Sequence, residues 1–325
     1  MSETGAKKTG VLLVNLGSPA SPKTGDVRRF LREFLGDPRV VNLPRPLWWL
    51  ILNLFVLPFR PKKSAHAYQS IWTEQGSPLI VFTQKLADKL KARYGSPELS
   101  IDCAMRYGKP ALREKLADFK KQGVDDIVIV PLYPQYSSTT TASIFDVVAE
   151  DFVSWRHMPG LHFISDFHQY SGYIEAIAES VRKHWQTHGR AELLLMSFHG
   201  LPAKLTEWGD PYFYQCQTSA RLIAQALGLD DGQWLLVFQS RFGKAEWLKP
   251  YCVEELQNLP TRGVKNIDVI CPGFSVDCLE TLEEIAIANQ EIFIAAGGET
   301  YRYIACLNDS DAHVEVMIDL IKNAH

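Results

Sequence analysis

The sequence predicts an α/β protein built from two similar halves, each a parallel sheet flanked by helices. Short apolar runs alternate with longer amphipathic stretches, the order of elements found in parallel sheets with crossover helices. With 325 residues, 46% hydrophobic and 22% charged, the chain can form two domains with ordinary cores. We expect strands at "GVLLVNL", "DIVIVPLY", "ELLLMSF", "WLLVFQS" and "IDVICPGF".

Helices are expected between these strands, where apolar residues recur at helical spacing. The chain also ends in an amphipathic stretch, which favours a terminal helix. The expected helices are "ALREKLADFKKQ", "YIEAIAESVRKHWQTH", "CLETLEEIAIANQEIFIAAGG" and the terminal "HVEVMIDLIKN".

An internal repeat supports the two halves, because three pairs of segments match in the same order. From it we expect two α/β lobes facing one another across a cleft, with Leu16 in the place of His199 and Thr140 in that of Glu280. One lobe would then offer an apolar wall and the other an imidazole and carboxylates. The matched pairs are "VNLGSP" at 14–19 with "SFHGLP" at 197–202, "RYGK" at 106–109 with "RFGK" at 241–244, and "QGVDDIVIVPLYPQYS" at 122–137 with "RGVKNIDVICPGFSVD" at 262–277.

Charge and cysteine content exclude several classes of protein. A net charge of −3 gives no reason to expect a nucleic-acid partner. The six cysteines form no CxxC pair, so neither a zinc knuckle nor a disulfide framework is indicated, which suits a reducing cytoplasm. The opening "MSETGAKKTG" has no apolar region of the secretory type.

One segment is unusually apolar. Residues 47–57, "LWWLILNLFVL", lie between two prolines and are followed by "RPKK". A membrane span needs roughly 20 such residues, so this segment is too short to cross. Two interpretations remain open: a buried helix bounded by prolines, or a lip at a membrane surface or over an apolar ligand, where Trp and Arg or Lys are favoured.

His199 follows a predicted buried strand, and the carboxyl ends of parallel strands face the crevice where ligands bind. Asp277, Glu280 and Glu284 would share one face of a helix, with Glu283 nearby. Structural roles also account for these residues: a histidine satisfied in a turn, and acids that cap a helix. Alternatively, carboxylates leading toward an imidazole pass protons or hold a divalent cation such as Fe(II).

The motifs "SFHGLP", "YPQYSSTTTAS", "MRYG", "QSRFGKAEWLKP" and "CPGFSVDCLETLEEI" together resemble the ferrochelatase family, whose members insert ferrous iron into a porphyrin to make haem. The resemblance covers nearly the whole chain. It implies a cytoplasmic lyase, often at the inner face of the cytoplasmic membrane, with two Rossmann-like lobes in a chelatase-like fold. We expect a first lobe at 1–170, including the lip at 46–60 and joined by the helix of about 305–325, and a second at 171–304.

Site residues follow from the resemblance position by position. His199 would be the imidazole beside the pyrrole nitrogens and Glu280 its carboxylate partner, both also candidate iron ligands. Asp277 and Glu284 would continue an acidic path, and Leu16 would press on the opposite face of the ring. Positions matching ring-contacting, propionate-side or lip residues are Arg60, Lys63, Tyr68, Arg106, Tyr107, Tyr136, Ser240, Trp247 and Phe274.

Two departures from the family matter. Cys278 stands where animal enzymes have a histidine, so that histidine's role cannot be transferred. Some members hold a [2Fe–2S] cluster through a cysteine near "YPQYS" and three in a C-terminal extension, but here Ser137 and Ser138 occupy the first site. Because such a cluster needs about four thiolates, we expect none and no permanently bound cofactor, with Fe(II) as substrate.

Rival functions are a non-catalytic tetrapyrrole or metal carrier, and a cobalt chelatase of corrinoid synthesis. The file of carboxylates behind His199 favours an enzyme, and a single motif histidine disfavours the cobalt enzymes. The apolar lip favours protoporphyrin over coproporphyrin, because two propionates need fewer basic partners than four. The expected partners are thus a porphyrin and ferrous iron, with peripheral membrane contact through 46–60 and a monomer or weak homodimer.

Overall fold

The computed structural model describes residues 7–243 and 245–324, so most of the N-terminal "MSETGAKKTG" lies outside it. The chain forms two compact units. Of the described residues, the first unit comprises those up to Leu132, Ser138–Asp166 and those from Asp309 to Ala324, and the second comprises those within Tyr133–Ser137 and Phe167–Asn308. The expected first lobe, 1–170 with about 305–325, differs from the first unit because 133–137, 167–170 and 305–308 belong to the second unit. In the structure Gln135 lies in the second, where its Nε2 donates to Ser219 Oγ at 2.9 Å.

The first unit is a four-stranded parallel sheet in the order β2-β1-β3-β4. Val11 to Val14 of β1 are fully buried, as expected for a central strand covered on both faces. Its strands are β1 Thr9–Ser18, β2 Leu99–Gly108, β3 Asp126–Pro131 and β4 Gly160–Phe163. Its helices are α1 Thr24–Gly36, α2 Arg45–Ile51, π1 Leu52–Val56, α3 Leu57–Ile71, α4 Pro78–Tyr94, α5 Leu112–Gln122, α6 Thr141–Phe152 and α12 Asp311–Lys322.

The second unit repeats this topology, with a parallel sheet in the order β6-β5-β7-β8. Its strands are β5 Leu193–His199, β6 Trp234–Gln239, β7 Asn266–Ile270 and β8 Thr300–Tyr303. Its helices are α7 Ser171–His188, α8 Lys204–Glu207, α9 Tyr212–Ala226, α10 Cys252–Asn258, a 3₁₀ turn Pro260–Arg262, π2 Glu280–Asn289 and α11 Gln290–Ala295. The prediction of two similar α/β halves with parallel sheets is confirmed. The sequence reading missed β2, β4 and β8.

Strand register corrects one of the repeat alignments. Met105 N donates to Pro110 O at 2.7 Å, and Phe238 N donates to Pro250 O at 2.8 Å, so Met105 and Phe238 are equivalent. Arg106 therefore corresponds to Gln239. The match of "RYGK" with "RFGK", which pairs Arg106 with Arg241 two positions later, is wrong. The second half carries a longer loop after its equivalent strand, and the letters match across that insertion by chance.

The apolar segment at 47–57 is helical but is not a buried helix. It runs through α2 and π1 into α3, and only Leu52 and Leu57 within it are buried. Trp48 attaches it to α1, because its Nε1 donates to Leu35 O at 2.6 Å. Its large exposed side chains are Leu47, Trp49, Leu50, Leu54 and Phe55. No helix within the described residues is long and apolar enough to cross a membrane.

The C-terminal helix α12 packs in the first unit, where ion pairs hold it against α4. Lys89 bonds Asp309 at 2.8 Å, and Arg93 bonds Asp311 at 2.9 Å and Glu315 at 2.8 Å. Exposed pairs of this kind contribute little each, so they orient the helix more than they stabilise it.

Gly17, near the end of β1, is required for the close approach of β1 to β2. Its φ is +110°, and a Cβ there would lie 1.8 Å from the carbonyl oxygen of Tyr107. Gly76 also has a positive φ, +119°, but a Cβ there would meet nothing within 4 Å. A side chain at Gly76 would therefore meet only the unfavourable φ, whereas a side chain at Gly17 would meet both the unfavourable φ and a clash with the backbone.

We expect Gly17→Ala to destabilise the protein much more than Gly76→Ala. The strained φ alone should cost about 1–3 kcal/mol in each variant, and Gly17→Ala should add a strand displacement that brings its loss above about 4 kcal/mol. Urea denaturation of both variants measures the difference. Equal losses would show that β1 and β2 are not held in contact at this point.

Candidate active site

His199 is the last residue of β5 and lies half-buried at the carboxyl edge of the second sheet. Its Nδ1 lies 2.6 Å from the carbonyl oxygen of Gly200. Because a carbonyl oxygen only accepts, Nδ1 must carry the hydrogen, and the neutral ring then has its lone pair on Nε2. The Phe274 ring lies 6.5 Å away between centroids. The local backbone thus orients the imidazole with Nε2 as the basic atom.

Gly200 permits the turn that brings His199 beside β6. Its N–H donates to Gln239 O at 2.8 Å, and His199 pairs with Gln239 in the strand register. A Cβ at Gly200 would lie 2.5 Å from that carbonyl oxygen and 3.2 Å from the Trp247 ring. Only glycine therefore allows the ends of β5 and β6 to meet this closely.

Gln239, which is 2% exposed, links the two strand ends to π2. Its Oε1 accepts from Ser197 Oγ at 2.8 Å, and its Nε2 donates to the backbone carbonyl of Glu280 at 2.9 Å. The same Nε2 lies 3.3 Å from Glu284 Oε2. The amide therefore joins β5 to the helix that carries the predicted acids.

The helix with these acids is a π-helix where we expected an α-helix. Glu280 and Glu284 lie on π2, and both are half-buried. In a π-helix the backbone bonds span five residues, so residues four or five apart follow one another along a face, and such helices occur frequently at functional sites. Glu284 therefore still follows Glu280 on one side. Tyr301 assists the unusual geometry by donating its hydroxyl to Ile285 O at 2.7 Å.

Asp277 lies before π2 and not on its face, which corrects the predicted row of three helical acids. It is 2% exposed, and every donor to its carboxylate comes from the second unit. Those donors are Thr281 Oγ1 at 3.0 Å, Tyr303 OH at 2.5 Å, Cys306 N at 3.4 Å and Asn308 Nδ2 at 2.6 Å. None of these donors is a backbone N–H of π2, so the bonds do not cap the helix, and the capping role considered above is wrong; they hold the segment before π2 to β8 and to the residues that follow it.

The cysteines near this site are protonated thiols. Burial, together with the neighbouring Glu280 carboxylate, holds the pKa of Cys278 well above its ordinary value. Burial also raises the pKa of Cys252, to about 12. Cys278 is therefore a neutral thiol, at the position where the family resemblance gives animal enzymes a histidine. Within residues 7–243 and 245–324, no group of three or more His, Cys, Asp or Glu side chains is arranged to hold a metal ion.

In the first unit, Leu16 and Arg106 lie at the carboxyl edge of the sheet, since their neighbours pair as Asn15 with Met105 and Gly17 with Tyr107. Leu16 is half-buried, and its N–H donates to Asn15 Oδ1 at 2.8 Å. The structure therefore places Leu16 at the position in its sheet that His199 occupies in the other.

Arg106 is held by a buried carboxylate. Its Nη2 donates to Asp37 Oδ2 at 2.5 Å, and its Nε donates to Ser143 Oγ at 2.7 Å. Burial acts to raise the pKa of Asp37, but hydrogen bonds from Ser143, Tyr107 and Arg39 N and the charge of Arg106 outweigh it, and the pKa lies below its ordinary value. Tyr107 is 1% exposed, so it supports Arg106 from inside the unit.

The remaining predicted site residues are distributed over both units. In the second unit, Tyr136 and Trp247 are half-buried, and the backbone N–H of Tyr136 donates to Gln215 at 2.6 Å. In the first unit, Tyr68 is buried on α3, Arg60 is half-buried and Lys63 is exposed.

Sequence reasoning missed Gln239 and Asp37. A glutamine after "WLLVF" and an aspartate after a helix look like ordinary surface residues in a sequence. The one available signal is position: Gln239 ends a predicted strand beside the strand that carries His199, where a polar residue faces the ligand edge.

Comparison with known proteins shows to which family the chain is similar. The ferrochelatase family profile matches residues 8–325. A ferrochelatase of Methylococcus capsulatus is 56% identical over 98% of this chain and 97% of its own length. A ferrochelatase of Nitrosococcus oceani is 51% identical over 97% of this chain and 86% of its own.

Solved structures show the same fold at low identity. SirB from Bacillus subtilis, solved with Fe3+, gives a TM-score of 0.57 at 12% identity, covering 98% of this chain and 95% of SirB. CbiX, described as the terminal enzyme of sirohaem biosynthesis in denitrifying bacteria, gives 0.54 at 14% identity, covering 97% and 99%. These likenesses concern the fold alone. Because these sequence matches cover nearly the whole chain, we conclude that the chain belongs to the ferrochelatase family.

Proposed function

We propose that this protein inserts Fe(II) into protoporphyrin with release of two pyrrole protons, forming haem. The observation that carries the proposal is the orientation of His199, whose Nδ1 is committed to Gly200 O and whose Nε2 is left basic at the ligand edge of the sheet. Family membership supplies the reaction class, and the site supplies residues suited to it.

The reaction needs a base beside the ring and a route for protons. Each pyrrole N–H must lose its proton before the nitrogen lone pair can bind iron. Nε2 of His199 is suited to accept such a proton or to ligate the arriving ion, and both roles require the neutral ring. Glu280 and Glu284 on π2 then offer carboxylates within the same unit to which protons can pass.

Asp277 takes a different part from the other two acids. Four donors bind its oxygen atoms, so we propose that it fixes the segment entering π2 to β8 and to the residues after it. Direct contact of Leu16, Arg106 and Phe274 with the ring remains a prediction from the family resemblance. So does iron ligation by His199 and Glu280.

The rival functions are less well supported. A cobalt chelatase has no support from the sequence matches, which are to proteins named ferrochelatase, one of them 56% identical. A passive carrier has no need of a basic imidazole in the same unit as the half-buried carboxylates of Glu280 and Glu284.

Anaerobic incubation with Fe(II) and protoporphyrin tests the proposal. Loss of the free-base absorption bands at a rate proportional to enzyme concentration, with many turnovers per chain, is the expected result. Stoichiometric binding without turnover would establish a carrier. Faster turnover of a four-carboxylate porphyrin, or of Co(II) with a corrin precursor, would show that the natural substrate belongs to another class.

The apolar surface of α2, π1 and α3 suits peripheral contact with the inner face of the cytoplasmic membrane. Trp49 is 63% exposed and Phe55 is 66% exposed, and monomers rarely carry contiguous apolar surface of this kind without a partner. Residues 24–71 also contain eight Arg or Lys and three Asp or Glu, although the whole chain is acidic. A basic, apolar surface is attracted to anionic lipid.

Replacing His199 by alanine should abolish iron insertion while leaving porphyrin affinity within about threefold, because ring affinity comes mainly from apolar contact area. Stopped-flow absorption and porphyrin fluorescence titration give the two quantities. The exposed His157 changed to alanine is the control and should behave like the wild type. Loss of porphyrin binding with normal turnover per bound ring would contradict the assignment.

Glu280→Gln keeps the side-chain shape and removes its charge. Turnover should fall by about 10²-fold if the carboxylate takes protons or binds iron. Glu283→Gln, on the same helix, removes the same charge and should change turnover less than about threefold. If Glu280→Gln lowers only the melting temperature, its carboxylate has a structural role.

Changing Trp49, Leu54 and Phe55 together to serine should weaken binding to anionic vesicles by about tenfold or more, since large apolar side chains would no longer enter the interface. The melting temperature should hardly change, because exposed substitutions cost little stability. Vesicle flotation measures the binding, and the exposed Val153 and Met158 changed to serine provide the control. Unchanged flotation would show that this surface does not contact the membrane.

A further inference from the structure

Ser240 has an unfavourable backbone conformation immediately after β6. Its φ is +63°, and within the described residues only one other non-glycine residue, Asn308, has a positive φ. L-residues avoid this region because the Cβ crowds the following carbonyl. Strained residues persist where the surroundings enforce them, and they concentrate at functional sites.

The conformation directs two donors of Ser240 onto one carboxylate. Its N–H donates to Glu284 Oε1 at 2.7 Å, and its hydroxyl donates to Glu284 Oε2. Nε2 of the preceding Gln239 adds a contact of 3.3 Å to Oε2. The hydroxyl of Ser240 is therefore committed to a side chain of its own unit.

The same kind of connection exists in the first unit with other residues. Arg106, which corresponds to Gln239, donates through Nε to the carbonyl of Ser143 at 3.0 Å on α6. Tyr107, which corresponds to Ser240, donates to Asp37 at 2.8 Å. In both units the end of the second strand is thus tied to a carboxylate and to the helix after the third strand. Only in the second unit is the carboxylate one of the predicted catalytic acids.

We propose that Ser240 is a positioning residue that holds the carboxylate of Glu284 for proton transfer. The inference rests on the proposed function, in which Glu284 receives protons from the site. The family resemblance places Ser240 only among positions that contact the ring or lie on its propionate side, and gives it no part in proton transfer.

A double-mutant cycle tests this role. The four proteins are the wild type, Ser240→Ala, Glu284→Ala and the double variant, each measured for kcat and for KM toward the porphyrin, per porphyrin-binding site. Ser240→Ala should lower kcat about tenfold, the effect of losing a hydrogen bond to a charged group, with KM within twofold. In the Glu284→Ala background the same change should alter kcat less than twofold, because residues acting through one another are not additive.

Two further variants exclude a general effect of removing a hydroxyl. Ser240→Gly tolerates the positive φ, so it should melt no lower than Ser240→Ala and show the same loss of kcat. Ser275→Ala removes a buried hydroxyl that has no hydrogen-bond partner, and its kcat should match the wild type.

Three outcomes would overturn the proposal. A higher KM with unchanged kcat in Ser240→Ala would show that the hydroxyl binds the porphyrin. Effects that multiply in the double variant would show that Ser240 and Glu284 act independently. Wild-type kcat in Ser240→Gly would show that the hydroxyl is dispensable. Failure of the proposed function is distinguishable from all three, because the wild type itself would then insert no iron.

Discussion

The hydrogen bond from Gly200 N–H to the carbonyl of Gln239 is the contact on which the candidate site depends. It brings the ends of β5 and β6 together at the edge where parallel strands present ligand-binding side chains. The turn also supplies the carbonyl that fixes the His199 ring. From the same point the Gln239 amide reaches π2, so the imidazole and the helix of acids are positioned by one pair of strand ends.

Two copies of one topology carry different chemistry at this edge. In the first unit the equivalents of His199 and Gln239 are Leu16 and Arg106, and the buried carboxylate of Asp37 neutralises the arginine. In the second unit the equivalents are an imidazole and a neutral amide, and among the described residues no Arg, Lys or His forms an ion pair with Glu280 or Glu284. The first unit therefore offers apolar and donor groups, whereas the second offers bases.

The sequence predicts much of the fold but less of the site. Buried strands such as β1, β3 and β5 are evident because parallel strands covered on both faces are apolar throughout. Strands β4 and β8 have only four residues, too few for a periodic signal. His199 and Glu280 could be proposed as site residues from motif and position. The π-helix could not, because contacts from Gln239 and Tyr301, distant in sequence, support it. The hydrogen bonds of Asp277 likewise depend on Tyr303 and Asn308, which follow it by more than 25 residues.

The central claim is that neutral His199 carries its hydrogen on Nδ1 and its lone pair on Nε2. Nitrogen-15 NMR of protein labelled at histidine measures this directly, in alkaline buffer where imidazoles are neutral, with the His199→Ala variant assigning the resonances. The account predicts a protonated Nδ1 and an unprotonated Nε2 whose resonance shifts when porphyrin and a redox-inert divalent metal are added. A protonated Nε2, or a ring that does not respond to either substrate, would contradict it.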